Sequence, residues 1–146
     1  MQRIGDRHGG VSVAWVADRV LYARFEGKIT SQVGEKFATE FVALVQGTTE
    51  LEYFADSRGL TEYDILARSA IVRALLSNRG KFASMVVLTC ARGVGPTART
   101  FADTLGRSIE YVADADEFEA RLLKAAPLAS QLLDAAPRSE RRYPAR

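Results

Sequence analysis

The carboxylates and hydroxyls of the segment YFADSRGLTEYDIL, residues 53–66, are the side chains whose types and spacing could support regulatory chemistry. Ser57 follows Asp56 at the end of an apolar run, so its hydroxyl could accept a phosphoryl group in a phosphorylation switch. The alternative is that Ser57 lies in the turn after a strand, where its hydroxyl bonds the local backbone. A helix that began near Ser57 would contain Gly59 at a cost of about 1 kcal/mol. The sequence therefore favours a strand that ends at Asp56 and a helix that is capped by Asp64.

A second candidate is the glycine-rich loop ARGVGPTA, which lies between an apolar run and a predicted helix. Its Gly-x-Gly-x-x-Ala spacing is that of a dinucleotide-binding turn. However, Pro96 removes one of the amide donors that a phosphate would use, and only one strand is predicted after this loop. The sequence therefore favours a tight turn onto a helix. An anion site remains the alternative, formed by Arg92, Gly93, Gly95 and Arg99.

Known catalytic and metal-binding motifs are not evident in the rest of the chain. The single histidine, His8, lies near the N-terminus, and the single cysteine, Cys90, ends an apolar run, so neither has a catalytic partner close in sequence. The acidic residues between 114 and 119 suit a helix N-terminus, where carboxylates favour the helix dipole, better than a cation site. The sequence therefore predicts a protein without enzymatic activity, metal or cofactor.

The composition, with 47% hydrophobic and 26% charged residues in 146, is typical of one globular domain. The net charge of +2 is too small to indicate nucleic-acid binding, and no apolar run approaches the ~20 residues of a membrane helix. A single cysteine excludes an internal disulfide and is typical of the reducing cytoplasm. The basic excess lies in PRSERRYPAR, residues 137–146, which predicts a solvated basic tail, with an arm that contacts an acidic partner as the alternative.

Hydrophobic periodicity predicts the element order β-β-α-β-α-β-α-β-α. Residues 11–25 alternate as two strands joined by Asp18 and Arg19, which predicts an antiparallel hairpin. Ser31 is the predicted cap of the first helix, and Asp64 is the predicted cap of the second. The second helix has a predicted buried stripe formed by Ile65, Leu66, Ile71, Val72, Leu75 and Leu76.

Strands that alternate with helices require right-handed crossovers, so the chain is predicted to be α/β. The expected architecture is a single domain with a mostly parallel five-stranded sheet, an antiparallel first strand and helices that cover the sheet. The predicted domain spans residues 11–125. A flexible N-terminus, 1–10, precedes it, and a helical extension, 126–136, and the basic tail, 137–146, follow it.

This order of elements resembles the STAS domain of anti-sigma-factor antagonists, and most closely its SpoIIAA-like branch. In the phospho-regulated members of that family, one Asp closes the third strand, and a second Asp opens the next helix directly before the phosphorylated Ser or Thr. Asp56 and Asp64 match the two Asp positions, with Gly59 and Thr61 in the turn between them. Ile65 occupies the phosphorylated position. The resemblance therefore implies a relative without the usual phosphoswitch, because this side chain has no hydroxyl.

The resemblance also implies a cytoplasmic regulatory module that binds a protein partner. The implied surface comprises Asp56, Ser57, Arg58, Gly59, Asp64, Ile65 and Arg68. The alternative function is a carrier or sensor that binds a nucleotide or anion at the glycine-rich loop, or a lipid-like molecule between helix and sheet. The residues that would line the lipid-like pocket are Phe37, Phe41, Ile71, Leu75 and Phe101. A homodimer through the hairpin edge strand or a helix face is compatible with the sequence.

Overall fold

The computed structural model describes residues 1–89 and 109–135, which contain six β-strands and four α-helices. The strands are β1 Gln2–Gly5, β2 Gly9–Ala17, β3 Val20–Ile29, β4 Leu51–Tyr63, β5 Phe82–Leu88 and β6 Ile109–Val112. The helices are α1 Ser31–Val45, α2 Ile65–Ser77, α3 Ala115–Ala125 and α4 Ser130–Ala135, with 3-10 turns at Arg79–Lys81 and Pro127–Ala129. No helix among these residues is long and apolar enough to cross a membrane.

All six strands form one sheet in the order β1-β2-β3-β4-β5-β6. The first three strands pair antiparallel, and β3 to β6 pair parallel. The predicted hairpin is present, with Ala17 opposite Val20 on either side of Asp18 and Arg19. The predicted α/β class with a mostly parallel sheet is therefore confirmed, but the sheet has six strands rather than five.

β1 is the additional strand, and it lies in the segment 1–10 that the sequence indicates as flexible. It pairs with the first half of β2, and its Ile4 is buried in the core. Asp6 stabilises the turn that follows, because its Oδ1 accepts a hydrogen bond from the backbone N–H of His8 at 2.8 Å. A four-residue strand with one buried isoleucine is too short to show the alternation of apolar and polar residues from which strands are predicted.

Helices cover both faces of the sheet. α1 and α2 pack on one face, whose core contains a row of aromatic rings with centroid separations of 5.5 Å for Phe25–Phe37, 6.0 Å for Phe37–Phe41 and 5.4 Å for Phe41–Tyr53. α3 packs on the other face, over a second core that includes Phe54. Because crossovers place helices on both faces, β5 and the first five residues of β4 in the middle of the sheet are largely apolar.

The predicted lining of a lipid-like pocket is packed as core. Phe37, Phe41, Ile71 and Leu75 are all buried, and they belong to the cluster between the sheet and the first two helices. Phe101, the fifth residue of that set, lies outside the described residues. The described part of the set therefore stabilises the fold by ordinary burial of apolar surface.

The cap of α1 is Thr30, one residue before the predicted Ser31. Its Oγ1 accepts a hydrogen bond from the N–H of Val33 at 3.4 Å and donates one to Asp6 Oδ2 at 2.8 Å. Ser and Thr are both good caps, so the local sequence does not distinguish them. The contact with Asp6, which comes from the β1–β2 turn, selects Thr30.

Candidate functional site

β4 runs through most of the segment that the sequence singles out. It continues to Tyr63 rather than ending at Asp56, so Ser57 and Gly59 lie in a strand and not in a turn. Two register shifts keep β4 paired with β3 as far as Ile29 opposite Tyr63. Sequence analysis missed this extension because GLTEY has the composition of a turn, and register shifts are not visible in the sequence. The second helix begins at Ile65 as predicted, and no helix begins near Ser57.

Asp56 and Arg58 lie inside the protein, with 0% and 7% of their surface exposed. Arg58 Nη2 donates to Asp56 Oδ2 at 2.7 Å, and Arg58 Nε donates to Asp56 Oδ1 at 3.1 Å. The hydroxyl of Tyr22 on β3 donates to Asp56 Oδ2 at 3.0 Å, and Arg58 Nη1 donates to Glu119 Oε2 on α3 at 2.7 Å. This network therefore connects two strands to the helix that covers them.

The network compensates for the cost of burying charged groups. Burial lowers the pKa of Arg58, but the hydrogen bonds and charge of Asp56 and then of Glu119 outweigh it, so the pKa is raised overall. Burial and the negative charge of Asp56 raise the pKa of Tyr22, so its hydroxyl stays protonated and can donate.

Asp56 and Arg58 were expected to contact a partner, but their burial removes them from the surface. Their partners Tyr22 and Glu119 come from distant parts of the sequence, and no local signal identifies them.

Asp64 occupies the N-cap position of α2, as predicted, but its carboxylate does not cap that helix. Its Oδ2 instead accepts a hydrogen bond from the backbone N–H of Ser31, the first residue of α1, at 3.0 Å. Lys28 Nζ lies 3.5 Å from Asp64 Oδ1 and 3.6 Å from Glu62 Oε2. The charge of Asp64, followed by that of Glu62, raises the pKa of Lys28. Asp64 therefore holds the N-terminal ends of the two helices together.

Ile65 and Leu66 form the most exposed pair of neighbouring aliphatic side chains on the described helices, with 73% and 62% of their surface accessible. The sequence predicts both in the buried stripe of α2, and this prediction is wrong. The helix packs instead through Ala67, Ala70 and Ala74, together with larger residues of its last turns. The spacing of apolar residues along α2 is compatible with burial of either of two helix faces. The close contact of α1 with α2 buries the face that carries the alanines.

The remaining predicted partner-binding residues divide by exposure. Arg68 is exposed and interacts within the protein. Ser57 and Gly59 are half-buried in β4. The exposed part of the predicted surface is therefore the start of α2, and Leu66 is the residue that sequence analysis omitted from it.

The predicted anion site, Arg92, Gly93, Gly95 and Arg99, lies outside the described residues, as does Cys90. Of the acidic residues between 114 and 119, Asp114 caps α3, because its Oδ1 accepts a hydrogen bond from the N–H of Asp116 at 2.9 Å. Within residues 1–89 and 109–135, no three His, Cys, Asp or Glu side chains are grouped to hold a metal ion. The start of α2 exposes the apolar side chains of Ile65 and Leu66 and the charged side chain of Arg68.

No protein-family model matches the sequence, and no curated protein matches it either. The structure is similar to the crystal structure of an uncharacterized DUF3478-family protein with a SpoIIAA-like fold from Shewanella loihica PV-4, with a TM-score of 0.62 and 15% identity over 81% of this chain and 98% of that one. It is also similar to the anti-sigma factor antagonist SpoIIAA in its unphosphorylated form, with a TM-score of 0.53 and 16% identity over 77% of this chain and 96% of that one. The chain therefore has a SpoIIAA-like fold, as the order of its elements predicts.

Proposed function

We propose that this chain is a non-enzymatic regulatory module of the STAS type that binds a protein partner in the cytoplasm. The partner contacts Asp64, Ile65, Leu66 and Arg68 at the start of α2, which we call the α2 surface. The exposure of Ile65 and Leu66 on a helix that packs largely through alanines supports the proposal most directly.

Burial of an Ile or Leu side chain contributes about 1.5–3 kcal/mol, so a helix that served only the core would turn these residues inward. On α2 the inward positions of the first turns are Ala67 and Ala70, while Ile65 and Leu66 remain in solvent. Adjacent exposed aliphatic side chains are typical of protein-interaction sites. Burial of this pair against a partner would therefore contribute hydrophobic free energy to binding, because folding of the chain leaves both side chains in solvent.

The α2 surface is held in place before any partner binds. Asp64 is hydrogen-bonded to the first residue of α1, and Ala67 packs directly against Gly34 of that helix. A rigid surface loses little conformational entropy on binding, which favours recognition of a specific partner. The surface therefore has the order expected of a docking site on a regulatory domain.

The solved structure of an anti-sigma factor antagonist supports the same class of function, because that protein, by its name, acts on another protein. Ile65 occupies the position of the phosphorylated residue in the family pattern and has no hydroxyl. Binding at the α2 surface is therefore proposed to be independent of phosphorylation at this position.

Photo-cross-linking in cells of the native host tests this proposal. A photo-cross-linking amino acid replaces Ser69, which is exposed one turn after Ile65, and a control carries it at Ala120, which is exposed on α3 across the sheet. We expect a polypeptide adduct from position 69 that is absent from position 120 and is lost in the Ile65→Ser, Leu66→Ser double variant. Equal adducts from both positions, no polypeptide adduct, or an adduct that the double variant retains would overturn the proposal.

A further inference from the structure

The exposed side of α2 continues beyond Ile65 and Leu66 as a basic surface. From Ile65 to Thr89 the chain has four basic residues and no acidic one, whereas its average composition would place about three acidic residues in such a stretch. Two of the four basic residues have interactions within the protein. Lys81 Nζ donates to the backbone oxygen of Val45 at 3.1 Å, and Arg68 also interacts within the chain.

Arg73 and Arg79 are the other two basic residues, and we call them the basic ridge. Both are exposed, and neither forms an ion pair with any described residue. Ile65, Ser69 and Arg73 follow one another at four-residue spacing, so they lie along one side of the helix, and all three are exposed. At 1.5 Å per residue, the apolar pair and the first arginine of the ridge are about 12 Å apart.

Acidic residues lie on the helix beside the basic ridge and before the start of α2. Helix α1, which packs beside α2 on the same face of the sheet, carries the exposed Glu35 and the half-buried Glu40. Glu62 and Asp64 precede the first turn of α2. A membrane or a nucleic acid presents negative charge over a wide area, which would bring it against these carboxylates. A single polypeptide segment is narrow enough to follow α2 alone.

We propose that the α2 surface and the basic ridge together bind an acidic, partly apolar segment of a protein partner. Its apolar side chains cover Ile65 and Leu66, and its carboxylates, about 12 Å further along, pair with Arg73 and then Arg79. Arginine binds carboxylates through two parallel hydrogen bonds, which gives this contact directional specificity. This inference rests on the proposed function, since it names the partner chemistry for the same surface.

Fluorescence anisotropy with two labelled peptides tests the inference. One 16-residue peptide carries two leucines followed by spaced glutamates, and the matched peptide has lysine at every glutamate position. We expect the acidic peptide to bind and the basic peptide not to bind. Arg73→Glu and Arg79→Glu should each weaken acidic-peptide binding about tenfold, which is the size expected for a charge-assisted contact. Lys36→Glu, a charge reversal of an exposed residue on α1, is the matched control and should change it less than about twofold.

In the peptide assay, three outcomes would overturn the inference: no binding of the acidic peptide, equal binding of both peptides, or loss of affinity in the Lys36→Glu control as large as in Arg73→Glu. Vesicles containing phosphatidylserine and a single-stranded oligonucleotide are tested in parallel, and preferential binding of either one would assign the ridge to a membrane or a nucleic acid. If the cross-link at position 69 requires Ile65 and Leu66 but is unaffected by Arg73→Glu, the charge inference fails while the proposed interaction function stands.

Discussion

Gly34 of α1 and Ala67 of α2 lie so close that a β-carbon added to Gly34 would be 2.4 Å from the β-carbon of Ala67 and 2.5 Å from its α-carbon. Only a residue without a side chain fits at this point of α1. The contact brings the first turns of the two helices together and directs Ala67 inward. Ile65 and Leu66, directly before Ala67, are consequently turned towards solvent.

Gly34→Ala is expected to lower the free energy of unfolding by about 2 kcal/mol, because the added methyl group overpacks the contact between the helices. The clash must outweigh the gain of about 1 kcal/mol that alanine brings to a helix interior. Urea denaturation followed by circular dichroism measures the change. Gly80→Ala is the control, since its β-carbon would meet no atom within 4 Å beyond the adjoining chain.

A second variant tests whether the clash involves the backbone of α2. Ala67→Gly removes only the β-carbon that Gly34→Ala meets and leaves the α-carbon, which would lie 2.5 Å from the added atom, so the double variant should stay less stable than the parent chain. A Gly34→Ala protein as stable as the parent chain would show that the two helices separate without cost, and the rigid presentation of the α2 surface would lose its basis.

Arg58→Met is expected to lower the free energy of unfolding by about 3–5 kcal/mol, because it leaves the Asp56 carboxylate buried without its main partner. Asp56→Asn combined with Arg58→Met should be less destabilised than Arg58→Met alone, since the asparagine carries no charge and still accepts from Tyr22. Arg121→Met is the matched control. It removes an ion pair with Glu110 on the surface, and such pairs contribute about 0–1 kcal/mol. Equal losses for Arg58→Met and Arg121→Met would contradict a structural role for the buried network.

The sequence predicts the features of this fold that depend on local patterns. The Asp18-Arg19 hairpin follows from apolar runs with alternating large residues on both sides of a two-residue link, and the start of α2 follows from the polar residues before Ile65. The order of strands and helices is enough to predict the SpoIIAA-like fold even though identity to the solved structures is only 15–16%. Each of these signals comes from residues that are close in the chain.

The incorrect predictions concern residues whose environment depends on distant parts of the chain. The buried Asp56 carboxylate accepts hydrogen bonds from Tyr22 and Arg58, and Arg58 in turn donates to Glu119. Tyr22 and Glu119 come from another strand and from a helix that are distant in the chain. Ile65 and Leu66 satisfy the spacing of a buried stripe, and only the approach of Gly34 to Ala67 turns them outward. Neither Gly34 nor Tyr22 carries a local signal of these contacts. The sequence therefore locates the candidate site but does not predict which of its side chains are buried and which are exposed.

Stability at alkaline pH should depend on Tyr22 and Tyr53. Burial raises the pKa of both hydroxyls well above the ordinary value of 10.0, and the charge of Asp56 adds to the effect for Tyr22. A pKa that is higher in the folded than in the unfolded chain gives a contribution that is fully present below pH 10.0 and is lost as the pH rises above it. We therefore expect these two tyrosines to ionise only when the chain unfolds.

Phenolate absorbance and circular dichroism, recorded together during an alkaline titration, measure this dependence. Tyr22→Phe and Tyr53→Phe should each remove one phenolate from the step that coincides with unfolding. Ionisation of all five tyrosines near pH 10.0 in a chain with native circular dichroism would contradict the burial of these two hydroxyls.

Asp64→Ala is expected to lower the free energy of unfolding by about 1 kcal/mol and to weaken partner binding. The loss of stability follows because the carboxylate accepts a hydrogen bond from the first backbone N–H of α1, which would then lack an acceptor. Asp64→Asn keeps an oxygen in the same place, so it should retain most of the stability. Glu62→Ala, which removes only an exposed contact with Lys28, is the control and should change stability by less than about 0.5 kcal/mol. Urea denaturation measures the effect of each variant on stability, and the yield of the position 69 cross-link measures its effect on partner binding. If Asp64→Asn were as destabilised as Asp64→Ala, the charge of Asp64 rather than its hydrogen bond to Ser31 would hold the two helix ends together.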